Sequence, residues 1–370
     1  MNIELQLFIL KFNNMQFKTL ISIALVFNMA FLKAQSINNY VIDFIKNNPE
    51  RSSIVFTRND TIMADVRSDL KFPLASTVKI IIAIEYAQQA ANGTIDPEEE
   101  ISVADIDRFY VLNTDGNAHP EWKAEMQQKN LIQNGKVRLK YIAKGMIRYS
   151  SNANTEFLMD KLGIDNINAN LKKLDLPNHD KLYPFISALF LTSNNRKVED
   201  KKFLNELANM SKEEYVKRCF EIHEKLKTDM NANMKAKFVF PSMELQRIWS
   251  DRLPASTAKE YVSIIQKINS HTYFDKKVHE HLDPIMEWPL EYNPGNAKSF
   301  EHLGQKGGST AFILTQASYA TLKNGKRIES AVFFNNLKES EFSKLQSALN
   351  EFNILCISSK TCYEVAKMLK

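Results

Sequence analysis

The sequence predicts a mixed α/β fold of the α+β kind, in which one antiparallel sheet lies beside an all-helical lobe. Three observations predict this class. A short helix and two strands occur near the start of the chain, the middle has mostly helical apolar spacing, and strands followed by a helix close the chain. We therefore expect the first and last segments to build one sheet, with the helices between them forming a separate lobe.

The first elements follow from apolar spacing and turn residues. Apolar residues recur with helical spacing from residue 37, and two runs rich in β-branched residues flank the turn Asn59-Asp60. Pro73 suits the start of a second helix, and Asn92-Gly93 suits its end. The predicted bounds are 37–47 for the first helix, 53–57 and 61–66 for the strands, and about 76–92 for the second helix.

The middle of the chain is predicted to be helical after a polar stretch. Residues 94–135 are expected to form loops, whereas 140–162 have helical spacing. The charged segment at about 196–250, named the insertion here, predicts solvated helices, in which Ser211 and Glu214 form a capping box. An apolar stripe follows the box at Tyr215, Cys219, Ile222 and Leu226. We interpret the insertion as a cover on the helical lobe; the alternative is that it shapes a substrate cleft.

The last elements return to the sheet. Ser256-Thr257 caps an amphipathic helix, and Asn324-Gly325 is a strong hairpin signal between two β-rich runs. The predicted bounds are 256–268 for this helix, 310–320 and 327–334 for the strands, and about 340–352 for a final helix.

Composition excludes several classes of function. The 370 residues include 48 basic and 43 acidic side chains, and the net charge of +5 has no dense basic block, which argues against nucleic-acid binding. The 10 glycines form no phosphate-binding loop, and the 7 histidines are scattered without metal-site spacing. We therefore predict no cofactor and no metal. Cys356 and Cys362 are close enough in sequence to bridge, but free, buried thiols are the preferred interpretation.

The first 34 residues have the pattern of a signal peptide. Lys18 precedes an apolar run too short to span a bilayer, and Ala34 is a small residue suited to cleavage. We expect 1–34 to be removed and 35–370 to be exported, to the periplasm or the medium, as one domain. An uncleaved anchor helix is the alternative. After cleavage we expect a monomer without stable membrane insertion.

The pattern with the most chemical content is Ser76-Thr77-Val78-Lys79, at the start of the second helix. Residues three apart share a helical face, so Ser76 and Lys79 point the same way. A buried lysine has a lowered pKa and can take a proton from a neighbouring hydroxyl. The spacing alone also occurs in solvated helices, so it predicts catalysis only together with partners elsewhere in the chain.

Two further motifs supply such partners, Ser150-Ser151-Asn152 and Lys306-Gly307-Gly308-Ser309. The three motifs in this order resemble those of penicillin-recognising serine enzymes, and 71–79 is most similar to the class A β-lactamases. The resemblance covers most of 37–352, with Lys306 expected to begin a strand. It implies a β-lactamase/transpeptidase-like fold, in agreement with the predicted sheet and helical lobe.

The resemblance also implies a role for each motif residue. Ser76 would attack a carbonyl to form an acyl-enzyme, while Lys79 takes its proton or orients a water that does. Ser150 would hand a proton to the leaving nitrogen. The substrate-binding residues implied are Asn152, Lys306, Gly308 and Ser309, with the N–H groups of Ser76 and Ser309 forming an oxyanion hole.

Besides the insertion at about 196–250, which makes this segment roughly fifty residues longer than in the family, the chain departs from the class A pattern in three places. Ser151 replaces the usual aspartate and Gly307 the usual threonine or serine, and both changes are compatible with the fold. The third departure concerns the loop at 182–190, which is apolar and lacks the glutamate that activates the deacylating water. Asp180 is the nearest upstream carboxylate, and Asn194 could stand in for the asparagine that accompanies the family's glutamate, but neither is a convincing substitute.

The sequence therefore predicts an exported serine hydrolase that opens a β-lactam amide through an acyl-enzyme on Ser76. One alternative keeps the nucleophile but acts on peptidoglycan, as a D,D-carboxypeptidase or transpeptidase, or on an ester. Another is a slow-turnover penicillin-binding protein, because the usual deacylation base is missing. A remoter alternative is that 196–250 docks a partner.

Overall fold

The computed structural model describes residues 39–193, 201–358 and 360–370. The strands are β1 Ser52–Arg58, β2 Thr61–Val66, β3 Lys71–Pro73, β4 Glu100–Ser102, β5 Lys136–Arg138, β6 Ala255–Thr257, β7 Phe300–Ser309, β8 Leu314–Leu322 and β9 Arg327–Phe334. Five of them form an antiparallel sheet in the order β2-β1-β9-β8-β7. The prediction that the first and last segments share one sheet is confirmed.

Helices account for most of the remaining chain. Their bounds are α1 Tyr40–Asn47, α2 Lys79–Ala91, α3 Val103–Asp107, α4 Ala118–Gln128, α5 Leu139–Arg148, α6 Asn152–Leu162, α7 Ile164–Lys173, α8 Leu189–Thr192, α9 Lys201–Asn209, α10 Lys212–Thr228, α11 Asn233–Ala236, α12 Met243–Arg252, α13 Ala258–Asn269, α14 Lys276–Met286, α15 Trp288–Tyr292, α16 Glu339–Ile357 and α17 Cys362–Met368. Most of them lie between β2 and β7 in the chain, so the mixed α+β class with a helical lobe is confirmed.

The sheet is covered on both faces. On one face α1, α16 and α17 pack around Phe44, Phe334 and Phe352. On the other face α13 packs against β9, with Tyr261 edge-on to Phe333. Every residue of β1 is buried, as expected for a strand between two layers.

The helical lobe is built around α2. Its residues from Lys79 to Ala87 are all buried, so the helix is enclosed on every side rather than on one face. Helices α5, α6, α7 and α14 pack against it. Lys79, at the N-terminal end of α2, is therefore held between the lobe and the sheet. This placement positions the site described below.

The prediction of loops over 94–135 is wrong in part. The segment contains β4, α3 and α4, and β4 pairs with β5. Helix α4 has weak amphipathic character, so the sequence pattern hides it. It is stabilised instead by burial of Trp122, which is fully enclosed, and of His119.

The strand bounds near Lys306 also differ from the prediction. Lys306 does not begin its strand: β7 starts at Phe300, and β8 starts at Leu314 rather than at residue 310. Glycines and charged residues in β7 obscure the alternation, and Gly304 is required because a Cβ there would meet the Tyr319 ring at 2.3 Å. The final helix also continues to Ile357 instead of ending near 352.

The described part of the insertion is helical, as predicted. Ser211 caps α10 by accepting a hydrogen bond from the Glu214 N–H at 3.1 Å. Tyr215, Cys219 and Leu226 are buried, but His223 rather than Ile222 is the buried residue of its turn. The predicted signal peptide at 1–34 lies outside the described residues. No described helix is both long and apolar enough to cross a lipid bilayer.

Candidate active site

Ser76 lies in a 3₁₀ turn, Ala75–Val78, that leads directly into α2. Ala75 has φ +46°, a left-handed conformation that is unfavourable for a residue with a Cβ. The hydroxyl groups of Thr77 and Thr315 are 2.8 Å apart, and Thr315 also donates to the Leu74 carbonyl at 2.7 Å. Strand β8 thus holds the turn, and the side chain of Ser76, partly exposed, is presented at the surface of the site.

Strand β7 passes against the same turn at Gly308. A Cβ on Gly308 would lie 2.6 Å from the backbone nitrogen of Ser76 and 2.5 Å from the Leu74 carbonyl oxygen. Only glycine allows this approach, because every atom that would be met belongs to the backbone. The neighbouring Gly307 has no such constraint, since its nearest contact would be at 3.7 Å.

Lys79 is completely buried and bonds to the second motif. Its Nζ donates to the Ser150 carbonyl at 2.7 Å and to Asn152 Oδ1 at 2.9 Å, and it lies 3.3 Å from Ser150 Oγ. Burial, and secondarily the charge of Lys306, hold the pKa of Lys79 well below its usual range. A lysine in this state loses its proton far more readily than a solvated one.

Lys306 approaches Ser150 from the opposite side. Its Nζ donates to Ser150 Oγ at 3.0 Å and to the Gly307 carbonyl at 2.6 Å. Burial lowers the pKa of Lys306 to about 7. The Ser150 hydroxyl is therefore placed between two lysine nitrogens that come from distant parts of the chain.

The second motif is held in place by a strained residue and a cap. Ser150 has φ +65°, which turns the chain between α5 and α6. The Ser151 hydroxyl caps α6 by accepting a hydrogen bond from the Asn154 N–H at 3.2 Å, and His119 Nδ1 lies 3.1 Å from the same hydroxyl. Ser151 thus supports the local structure.

Sequence reasoning missed Asp115, a carboxylate beside Lys79. Its Oδ2 accepts hydrogen bonds from the backbone N–H groups of His119 at 3.1 Å and Asn152 at 3.4 Å. Burial raises the pKa of Asp115, against the opposing effect of nearby donors and of Lys79. Asp115 lies in a polar turn, and nothing in the sequence around it distinguishes it from an ordinary turn residue.

Sequence reasoning also missed a buried ion pair between α6 and the insertion. Glu156 is completely enclosed, and its Oε1 accepts hydrogen bonds from the Ser187 N–H at 3.2 Å, from the Ser187 hydroxyl, and from His223 Nδ1 at 3.0 Å. His223 Nε2 also lies 3.6 Å from Asp160. Burial alone would lower the pKa of His223, but hydrogen bonds to these two carboxylates raise it to about 9.

This pair lies under the loop that lacks the expected glutamate. Residues 182–193 contain no carboxylate, and the loop residue Ser187 bonds to Glu156 on α6 instead. Glu156 lies one helical turn after Asn152, so its position near the site was available from the sequence. The charge of Glu156, like that of Asp115, raises the pKa of Lys79 and so opposes the effect of burial.

The structure does not support Asp180 as a substitute base. Asp180 uses both oxygens to join elements: Lys71 donates to one at 2.5 Å, and Lys212 and the Ala255 N–H donate to the other at 2.8 and 3.2 Å. Burial would raise the pKa of Asp180, but the two lysines lower it. Asn194 lies outside the described residues.

Three of the 7 histidines, although far apart in the sequence, meet in space. His271, His279 and His302 stack against one another at the end of α13, in α14 and at the start of β7. The sequence hides this cluster because its members come from three elements that meet only in the folded chain.

The fold is shared with β-lactamases and penicillin-binding proteins of known structure. The TLA-1 extended-spectrum β-lactamase is 13% identical with a TM-score of 0.51, over 90% of this chain and 98% of that one. A β-lactamase from Chitinophaga pinensis is 13% identical with a TM-score of 0.50, over 84% and 97% of the two chains. A PBP-A variant, solved as an acyl-enzyme with penicillin G, is 14% identical with a TM-score of 0.50, over 88% and 94%.

The sequence itself matches a family. The model of the β-lactamase enzyme family matches residues 33–350, so the chain belongs to this family. No curated protein sequence matches the chain. The family and the fold that the three motifs predict are thereby confirmed.

Proposed function

We propose that the protein is an exported serine hydrolase that opens β-lactam amides through an acyl-enzyme on Ser76. One observation carries the proposal: Lys79, Ser150 and Lys306, from three distant segments, form one hydrogen-bonded array next to the turn that presents Ser76. Buried lysines with lowered pKa values are expensive for a fold to maintain and cluster at catalytic sites.

Acylation begins with proton removal from Ser76. Lys79 in its neutral form accepts the hydroxyl proton, directly or through a water, as Ser76 Oγ attacks the lactam carbonyl carbon. The bond that forms is the Ser76 ester, and the lactam C–N bond breaks as the tetrahedral intermediate collapses. The burial that lowers the pKa of Lys79 favours this neutral form.

The developing charges have partners on both sides of the carbonyl. The N–H groups of Ser76 and Ser309 donate to the oxyanion, since Gly308 brings β7 against the turn that contains Ser76. Ser150, held by Lys306, hands its proton to the leaving nitrogen and regains one from Lys79, which carries the proton taken from Ser76. The Lys306 ammonium keeps its proton and attracts the substrate carboxylate. Asn152, bonded to Lys79, binds the amide side chain of the substrate.

The rate of deacylation distinguishes a β-lactamase from the alternative functions. The loop over 182–193 has no carboxylate, which favours a long-lived acyl-enzyme, as in a penicillin-binding protein or a peptidoglycan D,D-carboxypeptidase or transpeptidase. Asp115 and Glu156, the carboxylates that act on Lys79, are the candidates to activate water in its place. The substrate is a small molecule, a β-lactam or a peptidoglycan-like peptide, and the protein acts as a monomer.

A labelled penicillin followed over time tests both parts of the proposal. We expect a covalent adduct on the wild type and on Ser347→Ala, a control at an exposed serine, and none on Ser76→Ala. An adduct that survives Ser76→Ala would disprove the nucleophile. Release of hydrolysed drug in many turnovers supports the β-lactamase, whereas one stable adduct per chain supports the slow-turnover alternative.

The deacylation base is tested on the same adduct. If Asp115 or Glu156 activates water, Asp115→Asn or Glu156→Gln slows adduct release at least about 100-fold with acylation retained. Glu301→Gln, at an exposed carboxylate paired with Lys323, is the control. Release that is unchanged in both variants would exclude them.

A further inference from the structure

A cluster of three imidazoles and two carboxylates lies outside the candidate active site. His271 follows the end of α13, His279 is in α14, and His302 is in β7 at a bulge in its pairing with β8. The ring centroid of His271 lies 3.7 Å from that of His302 and 4.2 Å from that of His279. His302 precedes Lys306 by four strand residues, about 13 Å, so the cluster is separate from the array around Ser150.

Carboxylates orient these imidazoles. His279 Nδ1 lies 2.9 Å from Asp283, His271 Nδ1 lies 3.7 Å from the other oxygen of Asp283, and His302 Nδ1 lies 2.9 Å from Glu287. A carboxylate that accepts from Nδ1–H fixes the tautomer and leaves the Nε2 lone pair free. This is the arrangement by which proteins prepare histidines as metal ligands.

Two of the Nε2 atoms have no partner within the described part of the chain. Those of His271 and His279 are shielded from solvent and make no hydrogen bond, and the His279 side chain is almost completely buried, with 6% exposure. An unsatisfied buried polar atom destabilises the folded chain, so a bound ligand would explain its presence. His271 also has φ +51°, a strained conformation that brings its ring into the cluster.

The donor atoms form two compact groups that share His271. The donors of His271, His279 and Asp283 lie within 4.8 Å of one another, and so do those of His271, His302 and Glu287. A tetrahedral ion with metal–ligand bonds of about 2.1 Å needs donors about 3.4 Å apart, so the imidazoles must rotate out of their stack for all three to bind one ion. Imidazole and carboxylate donors suit Zn²⁺ and its transition-metal neighbours rather than Ca²⁺ or Mg²⁺.

We propose that His271, His279 and His302, with Asp283 or Glu287 as a further ligand, bind a Zn²⁺-class metal ion. The ion joins the end of α13 and α14, in the helical lobe, to edge strand β7 of the sheet. Its role is structural: it holds β7, which continues to Lys306 and Gly308, against the lobe. Metal binding is therefore expected to stabilise the folded chain, by an amount that rises with the logarithm of the free ion concentration once this exceeds the Kd.

Calorimetric titration of the chelator-treated protein with Zn²⁺ tests the site. We expect one ion per chain and a rise in the melting temperature, with the affinity reduced at least about 100-fold in His302→Gln and His279→Gln. His281→Gln, on the same helix but outside the cluster, is the matched control and should bind within about twofold of the wild type. Co²⁺ in place of Zn²⁺ gives a visible spectrum that reports nitrogen and oxygen ligation, independently of activity.

Three results would overturn the assignment. The first is the absence of saturable binding to the folded wild type. The second is unchanged affinity in His302→Gln. The third is loss of binding in His223→Gln alone, which would place the ion instead at the group formed by Asp160, His223 and Glu224. If His279→Gln does not fold, as judged by circular dichroism, the milder Glu287→Gln and Asp283→Asn replace it, with an expected loss of at least about tenfold.

Discussion

At the scale of single residues, Gly308 connects the third motif to the turn that contains Ser76. Its Cα lies so close to that turn that an added methyl group would meet the Ser76 and Thr77 nitrogens at 2.6 Å. Gly308→Ala must therefore displace either β7 or the turn. Because a displacement of about 1 Å costs about 100-fold in rate, we expect acylation by penicillin to slow by at least that factor.

Gly307→Ala is the matched control for this substitution. A Cβ at Gly307 has only an ordinary contact, at 3.7 Å from the Thr315 carbonyl oxygen, so its acylation rate should stay within about threefold of the wild type. Equal rates in the two variants would contradict the close approach of β7 to Ser76.

The charge of Lys306 predicts a pH dependence of acylation. Burial lowers the pKa of Lys306 to about 7, so its ammonium is present below this pH and is lost as the pH rises through it. We expect the acylation rate to fall above about pH 7 in the wild type. Arginine keeps its proton throughout, so this fall should disappear in Lys306→Arg.

The measurement compares profile shapes rather than absolute rates, because an arginine does not fit a lysine site perfectly. Rates of adduct formation between pH 5.5 and 9, each normalised to the rate at pH 6, suffice. A fall near pH 7 that persists in Lys306→Arg would assign it to another group, such as Lys79.

At the scale of elements, helix α10 of the insertion is joined to the lobe by an ion pair. The His223 ring stacks on Phe109 with the ring centroids 5.1 Å apart, and its Nδ1 bonds to Glu156 of α6. Burial would lower the pKa of His223, but its bonds to Asp160 and Glu156 raise it to about 9. A raised pKa in the folded chain means that the stabilisation is complete below the unfolded value of about 6.5 and is lost as the pH rises through about 9. The insertion is therefore part of the core rather than a solvated cover alone.

We expect His223→Gln to lower the free energy of unfolding by about 3 kcal/mol at pH 6. The difference from the wild type should shrink steadily between pH 6.5 and 9.5. Urea unfolding at several pH values measures it, with His281→Gln as a control that should show no such trend. A difference that is constant with pH would mean that packing, not charge, is what His223 contributes.

At the scale of the whole molecule, all three cysteines are free and enclosed by the two cores. Cys219 lies in the helical lobe, and Cys356 and Cys362 lie between the sheet and the C-terminal helices. Burial raises the pKa of Cys219 and Cys356, which leaves little reactive thiolate. The prediction of free, buried thiols is confirmed.

Thiol titration without reductant checks this arrangement in solution. The native protein should react slowly at all three sites, and the urea-unfolded protein should show three thiols per chain. A count of one after unfolding would indicate a bridge between Cys356 and Cys362. Rapid reaction of the native protein would indicate that one of the cores is open.

Much of the fold and part of the site follow from the sequence alone. The hairpin at 53–66, the helix after Ser76 and the helix capped by Thr257 are determined by local spacing and turn residues, so they are predictable. The three motifs are visible because each lies within four consecutive residues. Strand β7 and helix α4 were misjudged because glycines and weak periodicity conceal them, while long-range burial stabilises them.

Only the tertiary structure decides which distant residues meet. It places Ser150 between two lysines, Gly308 against the Ser76 turn, and His223 of the insertion on Glu156. It also gathers the three histidines that the sequence leaves apart. The physical reason is that local patterns report the periodicity of one element, whereas the pairing of elements depends on contacts across the whole chain, which no short stretch of sequence encodes.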